Sequence, residues 1–494
     1  MVFNKFLKSV EQFPDKIAIV AGGHELTYKE LASIVCLQRN RILEKGFGKE
    51  KLIGVVTGDD LYTYGSILAI LSLGAGYVPL NIKNPRYRNE EIILQAGLSC
   101  VLSSTELLLN NALVLDSRVS VNQDNEKLEP VSIGDASIAY LFFTSGSTGK
   151  PKGVPIYHKN LTSFLATLTD VNEYDFSSED RFIQTFELTF DLSVMSFFVP
   201  LCIGASVYVI PQKKQSYLSI YSMLLKDNIT VALMVPSVLT YLRPYFSEIY
   251  LPHLRYSLFC GEALYSNLTS EWAKCVPNAE IQNVYGPTEA TIFCLRYAFN
   301  RNSDNLSENG VLSIGFPMPN MRAFIMKNST FAKEFEKGEL LLQGAQVTDS
   351  YWRNSDKTKE SFLHMDNKVF YRTGDLCYFD KEGVFYYCGR LDNQVKLNGY
   401  RIELGEIEFN LKEITNIDNF VVTIVGNKGA EFLYGVYEGE VIDSDSVLSA
   451  LSKKLPSYMH PRELYNIAKM PHNLNGKIDR NKVKEIVVKI LKET

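Results

Sequence analysis

The chain has 494 residues, 46% apolar and 22% charged; this is ordinary globular composition, and the length exceeds one hydrophobic core, so at least two domains are expected. A net charge of −5 with no long basic block excludes a protein whose affinity rests on nucleic-acid phosphates. None of the eight cysteines forms a Cys-x-x-Cys pair, which argues against zinc or a disulfide framework and for a reduced, cytoplasmic setting.

In chain order, the N-terminus lacks the apolar core of a signal peptide and meets charge again at Glu11, Asp15 and Lys16. Strands are predicted at 17–20 and 52–56, with helices at 28–45 and 61–73. The uncharged stretches 61–82 and 192–211 are long enough to span a bilayer. Gly65, Gly74, Gly76 and Pro79 interrupt the first, and Pro200 and Gly204 the second, so both are expected to break into pieces of a buried α/β core. Helices at 159–169 and 217–226 alternate with strands at 206–210, 230–235 and 255–259, the pattern of α/β layers with largely parallel strands. Residues 340–389 change to closely spaced strands and turns, a small antiparallel sheet or barrel. Beyond Asp392 the pattern is helix 404–414, strands 420–425 and 432–437, helix 444–455, a loop, and a charged helix from about 479. The expected fold is therefore a large α/β N-terminal domain, 1–390, with a small antiparallel sheet or barrel, followed by a small mobile α+β C-terminal domain, 391–494.

The apolar run 138–143 ends in Thr144, Ser145, Gly146, Ser147, Thr148, Gly149, Lys150, Pro151 and Lys152. Glycines let backbone approach a ligand closely, and hydroxyls, N–H groups and ammonium ions all suit phosphate oxygens. Neither the Walker nor the dinucleotide glycine pattern is present, so the segment reads either as another kind of phosphate grip or as a surface loop. The block 283–291 places Asn283, Tyr285, Gly286, Thr288 and Glu289 around a Gly-Pro turn. It is either a turn at a strand end or the single carboxylate that holds Mg²⁺ beside phosphates. Tyr371-Arg-Thr-Gly-Asp-Leu376 offers a carboxylate to sugar hydroxyls, or is a surface turn.

The order of these blocks resembles the adenylate-forming enzymes, specifically the amino-acid adenylation domains of nonribosomal peptide synthesis. The resemblance runs from Leu26-Thr-Tyr-Lys-Glu-Leu31 and Leu73-Gly-Ala-Gly-Tyr-Val-Pro-Leu80 to Asn475-Gly-Lys477. Phe190-Asp-Leu-Ser-Val-Met195 and Leu258-Phe-Cys-Gly-Glu-Ala-Leu264 are similar to the stand-alone D-alanine–carrier protein ligases. The resemblance implies ATP and Mg²⁺ as cofactors, with Thr144 to Lys152 around the β- and γ-phosphates. It implies Tyr285 on adenine, Asn283 at its edge, Thr288 at the α-phosphate and Glu289 on Mg²⁺. Asp375 and Arg390 would bind ribose, and Lys477 would reach in from the small domain to bridge the substrate carboxylate and α-phosphate. Asp392 would be the hinge for rotation toward a carrier's phosphopantetheine arm, with Gly389 and Gly399 as its conformationally free neighbours.

By the same resemblance Asp191 pairs with a substrate ammonium; on its own it also reads as a helix N-cap. The side-chain pocket would be lined by Leu192, Met195, Leu233, Leu258, Cys260, Val284, Ile292 and Phe293, bulky apolar walls that leave space for a small substrate side chain. Leu233, Val284 and Phe293 are larger or less polar than the ligase pattern, so glycine, either alanine enantiomer and other small amino acids stay open. No carrier segment follows Thr494, so the acceptor is expected in trans. A CoA ligase for a small carboxylic acid on the same scaffold is the rival expectation, and a degenerate adenylate-binding protein fits less well, because the motif set is complete.

Overall fold

The computed structural model describes residues 2–120, 128–129, 131–132, 134–146, 150–170, 173–211, 217–392, 394–427, 430–472 and 478–493. The chain forms two units. The first comprises 1–81, 93–143 and 153–391; the second comprises 82–92, 144–152 and 392–494.

Three large sheets organise the first unit among the described residues, beside the small pair Ser307–Glu308 and Val311–Leu312. The largest has nine strands, with Glu280–Tyr285, Tyr256–Phe259, Val231–Met234, Arg181–Gln184, Ser206–Val209 and Ile17–Ala21 as its parallel centre. Antiparallel strands close its edges: Leu295–Ala298 with Phe316–Pro317 on one side and His24–Thr27 on the other. A second sheet runs Leu113–Asp116, Cys100–Ser103, Leu52–Thr57, Gly76–Asn81, Ile138–Thr144 and Lys152–Tyr157. The four strands Leu52–Thr57, Gly76–Asn81, Ile138–Thr144 and Cys100–Ser103 are almost wholly apolar, as parallel strands covered on both faces must be.

Helix Leu192–Ile203 packs on Arg181–Gln184 and Ser206–Val209 and is buried from Leu192 to Cys202. Gly204 ends it in the left-handed conformation (φ 77°), which suits a residue without Cβ. The stretches 61–82 and 192–211 thus each divide into a helix and a strand. No helix among the described residues is long and apolar enough to cross a membrane. The third sheet is antiparallel and begins earlier than the sequence suggests, at Met321–Lys327. That strand pairs with Gly338–Gly344, which pairs with the long Lys368–Phe379, itself flanked by Phe362–Met365 and Phe385–Arg390.

In the second unit, helices Leu404–Thr415, Ser444–Ser452 and Arg480–Glu493 accompany strands Phe420–Asn427 and Ala430–Glu438. Two elements differ from the sequence reading. Glu463–Ile467, expected as loop, is a strand parallel to Ala430–Glu438. Gln394–Leu397 and Tyr400–Glu403 form a hairpin whose two-residue turn is Asn398 (φ 51°) and Gly399 (φ 82°). An Asn-Gly pair with both φ positive is what a tight hairpin turn demands. Gly399 thus has its place in the hairpin turn, whereas Gly389 (φ 121°) has open space where a Cβ would stand. Arg480 clamps the last helix to the first one of this unit, donating to both carboxylate oxygens of Glu408 at 2.7 Å each.

Candidate active site

The parallel centre of the large sheet aligns the site residues by register. Leu233 lies opposite Leu258, and Leu258 opposite Gln282. Laterally paired residues share a face and alternate residues return to it, so Leu233, Leu258, Cys260 and Val284 look the same way. They share one buried cluster with Leu192, Met195, Ile292 and Phe293, while Met234, Phe259 and Ile281 belong to another. All eight residues expected to line the side-chain pocket lie in that one large buried core, each 5% exposed or less. Leu233, Leu258 and Val284 stand toward the carboxyl ends of parallel strands, where such sheets bind ligands. Phe293 stands edge-on against Phe164 (ring centroids 5.0 Å apart, 81° between planes), which holds it in the wall.

Asp191 begins helix Leu192–Ile203, yet its side chain makes no capping hydrogen bond. Asp191 thus occupies the N-cap position without a side-chain cap bond. Its charge is instead felt by Tyr77 and Tyr140, paired across two strands of the second sheet and both fully buried. Burial first, and Asp191 next, push both phenols well above the usual range.

The strand Glu280–Tyr285 turns through Gly286 into a short 3₁₀ helix, Thr288–Ala290. A Cβ on Gly286 would stand 2.4 Å from the Phe293 Cα, so only glycine lets the two arms of the turn meet. Thr291 and Ile292 follow with φ of 56° and 76°. Two consecutive β-branched residues in the left-handed region are strained, by about 1–3 kcal/mol each. The surroundings fix them: the Thr291 hydroxyl donates to the Gln346 carbonyl at 2.5 Å, and the Cys294 N–H to Tyr285 O at 2.8 Å. Thr288 is half-buried; Glu289 is completely buried, its Oε1 accepting from the Tyr351 hydroxyl at 2.6 Å and its carbonyl from Thr348 N–H at 2.9 Å.

Tyr285, Asp375 and Arg390, far apart in sequence, meet. The Tyr285 hydroxyl donates to one oxygen of Asp375 and the Arg390 guanidinium to the other at 2.7 Å. Asp375 and Arg390 face each other across an antiparallel pair, next to a register shift between Asp375 and Cys377. The carboxylate retains lone pairs for further donors. Burial, then Asp375, raises the Tyr285 phenol well above its usual range. Asn283 donates its amide N–H groups to the carbonyls of Leu312 (3.3 Å) and Ser313 (2.9 Å), which fixes the orientation of its amide.

The phosphate-loop candidates fall in the second unit. The Ser145 hydroxyl donates to Arg401 O at 2.8 Å and accepts from Glu403 N–H at 3.1 Å. Gly146 N–H donates to Glu406 Oε2 at 3.1 Å, and the other oxygen of Glu406 is ion-paired with the buried Arg88. A Cβ on Gly146 would stand 2.1 Å from Lys150 O. Lys150 is largely exposed, 3.5 Å from the Glu91 carboxylate; Lys152 is buried. The Thr144 hydroxyl is buried without a hydrogen-bond partner among the described residues. Asp392 is exposed and accepts from Gln394 N–H at 3.1 Å. Ser147, Thr148, Gly149 and Lys477 lie outside the described residues.

Sequence reasoning did not single out Tyr351, Tyr77, Tyr140 or Arg88. Tyr351 is 62 residues from Glu289, and Arg88 is 318 from Glu406, so no local spacing announced either pairing.

Residues 6–352 match the family of AMP-binding enzymes, and the chain belongs to it, within the superfamily of adenylate-forming enzymes. A D-alanine--D-alanyl carrier protein ligase of Bacillus cytotoxicus is 30% identical over 507 residues, covering 97% of this chain and 99% of that one. Tyrocidine synthase 3 of Brevibacillus parabrevis is 30% identical over 488 residues; the chain spans 7% of its length. Of tyrocidine synthase 1 from the same organism, 31% identical over 503 residues, it spans 44%. The Vibrio cholerae adenylation domain AlmE, solved in complex with glycyl-adenosine-5'-phosphate, superposes with a TM-score of 0.87 over 99% of this chain and 98% of that one, at 24% identity. The fold is that of an adenylation domain.

Proposed function

We propose that the chain activates a small amino acid with ATP as its aminoacyl adenylate, then transfers the acyl group to the phosphopantetheine thiol of a carrier protein supplied in trans. The observation that carries this reading is the place of Asp191, a carboxylate at the head of a helix whose Leu192 and Met195 lie in the same buried core as Leu233, Leu258, Cys260 and Val284. A substrate ammonium is the cation that suits a carboxylate beside such apolar side chains. The bulky walls then favour a short side chain such as that of alanine. The match to a carrier protein ligase over nearly the whole of both chains supports the acceptor.

In the first step a substrate carboxylate oxygen attacks the α-phosphorus in line and pyrophosphate leaves; in the second the thiolate attacks the acyl carbon and AMP leaves. Two anions must approach in the first, so the chain's contribution is positioning and positive charge. Asp191 holds the ammonium end. Asn283 and Tyr285 take the base, Asp375 and Arg390 the ribose, Thr288 the α-phosphate. The segment of Ser145, Gly146, Lys150 and Lys152 takes the leaving phosphates, which requires Ser145 and Gly146 to give up their bonds to Arg401, Glu403 and Glu406, and Lys477 takes the developing charge between the reactants. Glu289 fits Mg²⁺: it is a buried carboxylate whose Oε1 accepts from the Tyr351 phenol. A single carboxylate suits a cation shared with phosphates, and Mg²⁺ bound there would neutralise phosphate charge.

ATP–pyrophosphate exchange with D-alanine, L-alanine, glycine and serine, against propionate and aryl acids, tests the reading. Exchange with a small amino acid but not with its desamino analogue is expected. Exchange with the desamino acids alone, with AMP release that depends on CoA, would establish the rival CoA ligase.

A further inference from the structure

Glu289 is not held by its backbone alone. Its Oε1 accepts from the Tyr351 hydroxyl at 2.6 Å, and that hydroxyl lies 3.5 Å from the Tyr371 hydroxyl. Phe362 wedges both rings, 5.3 Å from Tyr351 at 70° and 5.2 Å from Tyr371 at 50°. The Tyr351 N–H is tied to the Thr358 hydroxyl at 3.0 Å, and the Thr348 N–H bonds the Glu289 carbonyl. Glu289, Tyr351 and Tyr371 are 0%, 3% and 1% exposed. The phenols come from different places: Tyr351 from the segment after Gly338–Gly344, Tyr371 from the long strand Lys368–Phe379.

From this arrangement we infer that Tyr351, backed by Tyr371, is a positioning residue that aims the Glu289 carboxylate at its cation. The inference rests on the proposed role of Glu289. A glutamate side chain has three rotatable torsions, and in a closed space the wrong rotamer turns the carboxylate away from the phosphates. A phenol donates one hydrogen bond and so pins one oxygen of the carboxylate. A lysine or arginine there would pin it equally well and also cancel the charge that attracts a divalent cation. A neutral donor orients without neutralising. It is the relation that outer partners commonly bear to metal-binding carboxylates.

The test uses the full chain, with ATP binding followed by calorimetry across a Mg²⁺ titration and thermal unfolding measured in parallel. Tyr351→Phe removes one oxygen and keeps the ring against Phe362. We expect the Mg²⁺ concentration at half-maximal enhancement of ATP binding to rise about tenfold, while ATP binding without Mg²⁺ is unchanged. In a Glu289→Gln background, Tyr351→Phe should add nothing further. A Mg²⁺ midpoint unchanged by Tyr351→Phe, while Glu289→Gln moves it, would overturn the inference and spare the role of Glu289. A midpoint that Glu289→Gln also leaves unchanged would overturn both. Should Tyr351→Phe fail to fold, Tyr371→Phe decides: a rise of roughly twofold or more supports the relay, and no rise overturns it.

Discussion

The carboxylate of Glu406 accepts the backbone N–H of Gly146 at 3.1 Å although 260 residues separate them, and its other oxygen pairs with Arg88. Charges buried this completely (side chains 6% and 0% exposed for Arg88 and Glu406) are costly to leave alone. Glu406→Ala is therefore expected to destabilise the chain by about 3–5 kcal/mol, because Arg88 keeps an unpaired charge. The double replacement Arg88→Met, Glu406→Leu should recover much of that loss. Denaturant unfolding of the three proteins checks both values; equal loss in the single and double variants would contradict the explanation.

Asp191→Asn keeps the shape of the side chain and removes its charge. With an ammonium-bearing substrate, kcat/KM should fall by about 2–5 kcal/mol in transition-state terms, while KM for ATP stays where it was. Steady-state kinetics with each substrate varied in turn separates the two. A loss shared equally by ATP would mean that the substitution disturbed the fold at the start of helix Leu192–Ile203 instead.

Gly286→Ala drives a methyl group to 2.4 Å from the Phe293 Cα, with the Ile292 carbonyl at 2.8 Å. Backbone on both sides cannot give way as a flexible side-chain end would. The expected cost is about 1–3 kcal/mol of stability, together with loss of adenylation, since the shift falls on Glu289 and the Phe293 wall at once. Thermal unfolding and exchange activity report the two effects.

His158 is 2% exposed, and neither ring nitrogen has a hydrogen-bond partner among the described residues. Burial pushes its imidazole down from 6.5 to about 4. Below pH 6.5 the unfolded chain binds a proton that the folded chain refuses, so this residue's contribution is complete above that pH and is lost as pH falls toward 4. The loss is about 3 kcal/mol at most. His158→Leu should flatten the stability–pH curve in this window and raise stability at its acid end, as measured by unfolding at about pH 7, 5.5 and 4.5.

The parallel strands were legible because burial on both faces writes itself as apolar runs, as in 52–57 and 138–143. Strand Glu463–Ile467 was not, since only Leu464 of its five residues is buried and its charge and amide read as loop. The Asn398-Gly399 pair is a hairpin signal in the sequence itself, and reading Gly399 only as a neighbour of the hinge overlooks the asparagine before it. At the site, residues within one motif were found together because their neighbours are local. Whether Asp191 capped its helix turned on a side-chain direction that spacing does not encode, and Tyr351 carries neither charge nor a motif partner near Glu289.

Under the proposed function, the left-handed pair Thr291 and Ile292 also bears on redesign of acid selectivity. Leu233 and Leu258 sit on ordinary strands, so a substitution library there trades only volume and polarity. At Ile292, valine or threonine keeps the strained backbone, whereas glycine relaxes it and deletes a buried wall in the same step. Engineering effort spent on the strand positions should yield graded changes in substrate size, and variation at 292 an abrupt one.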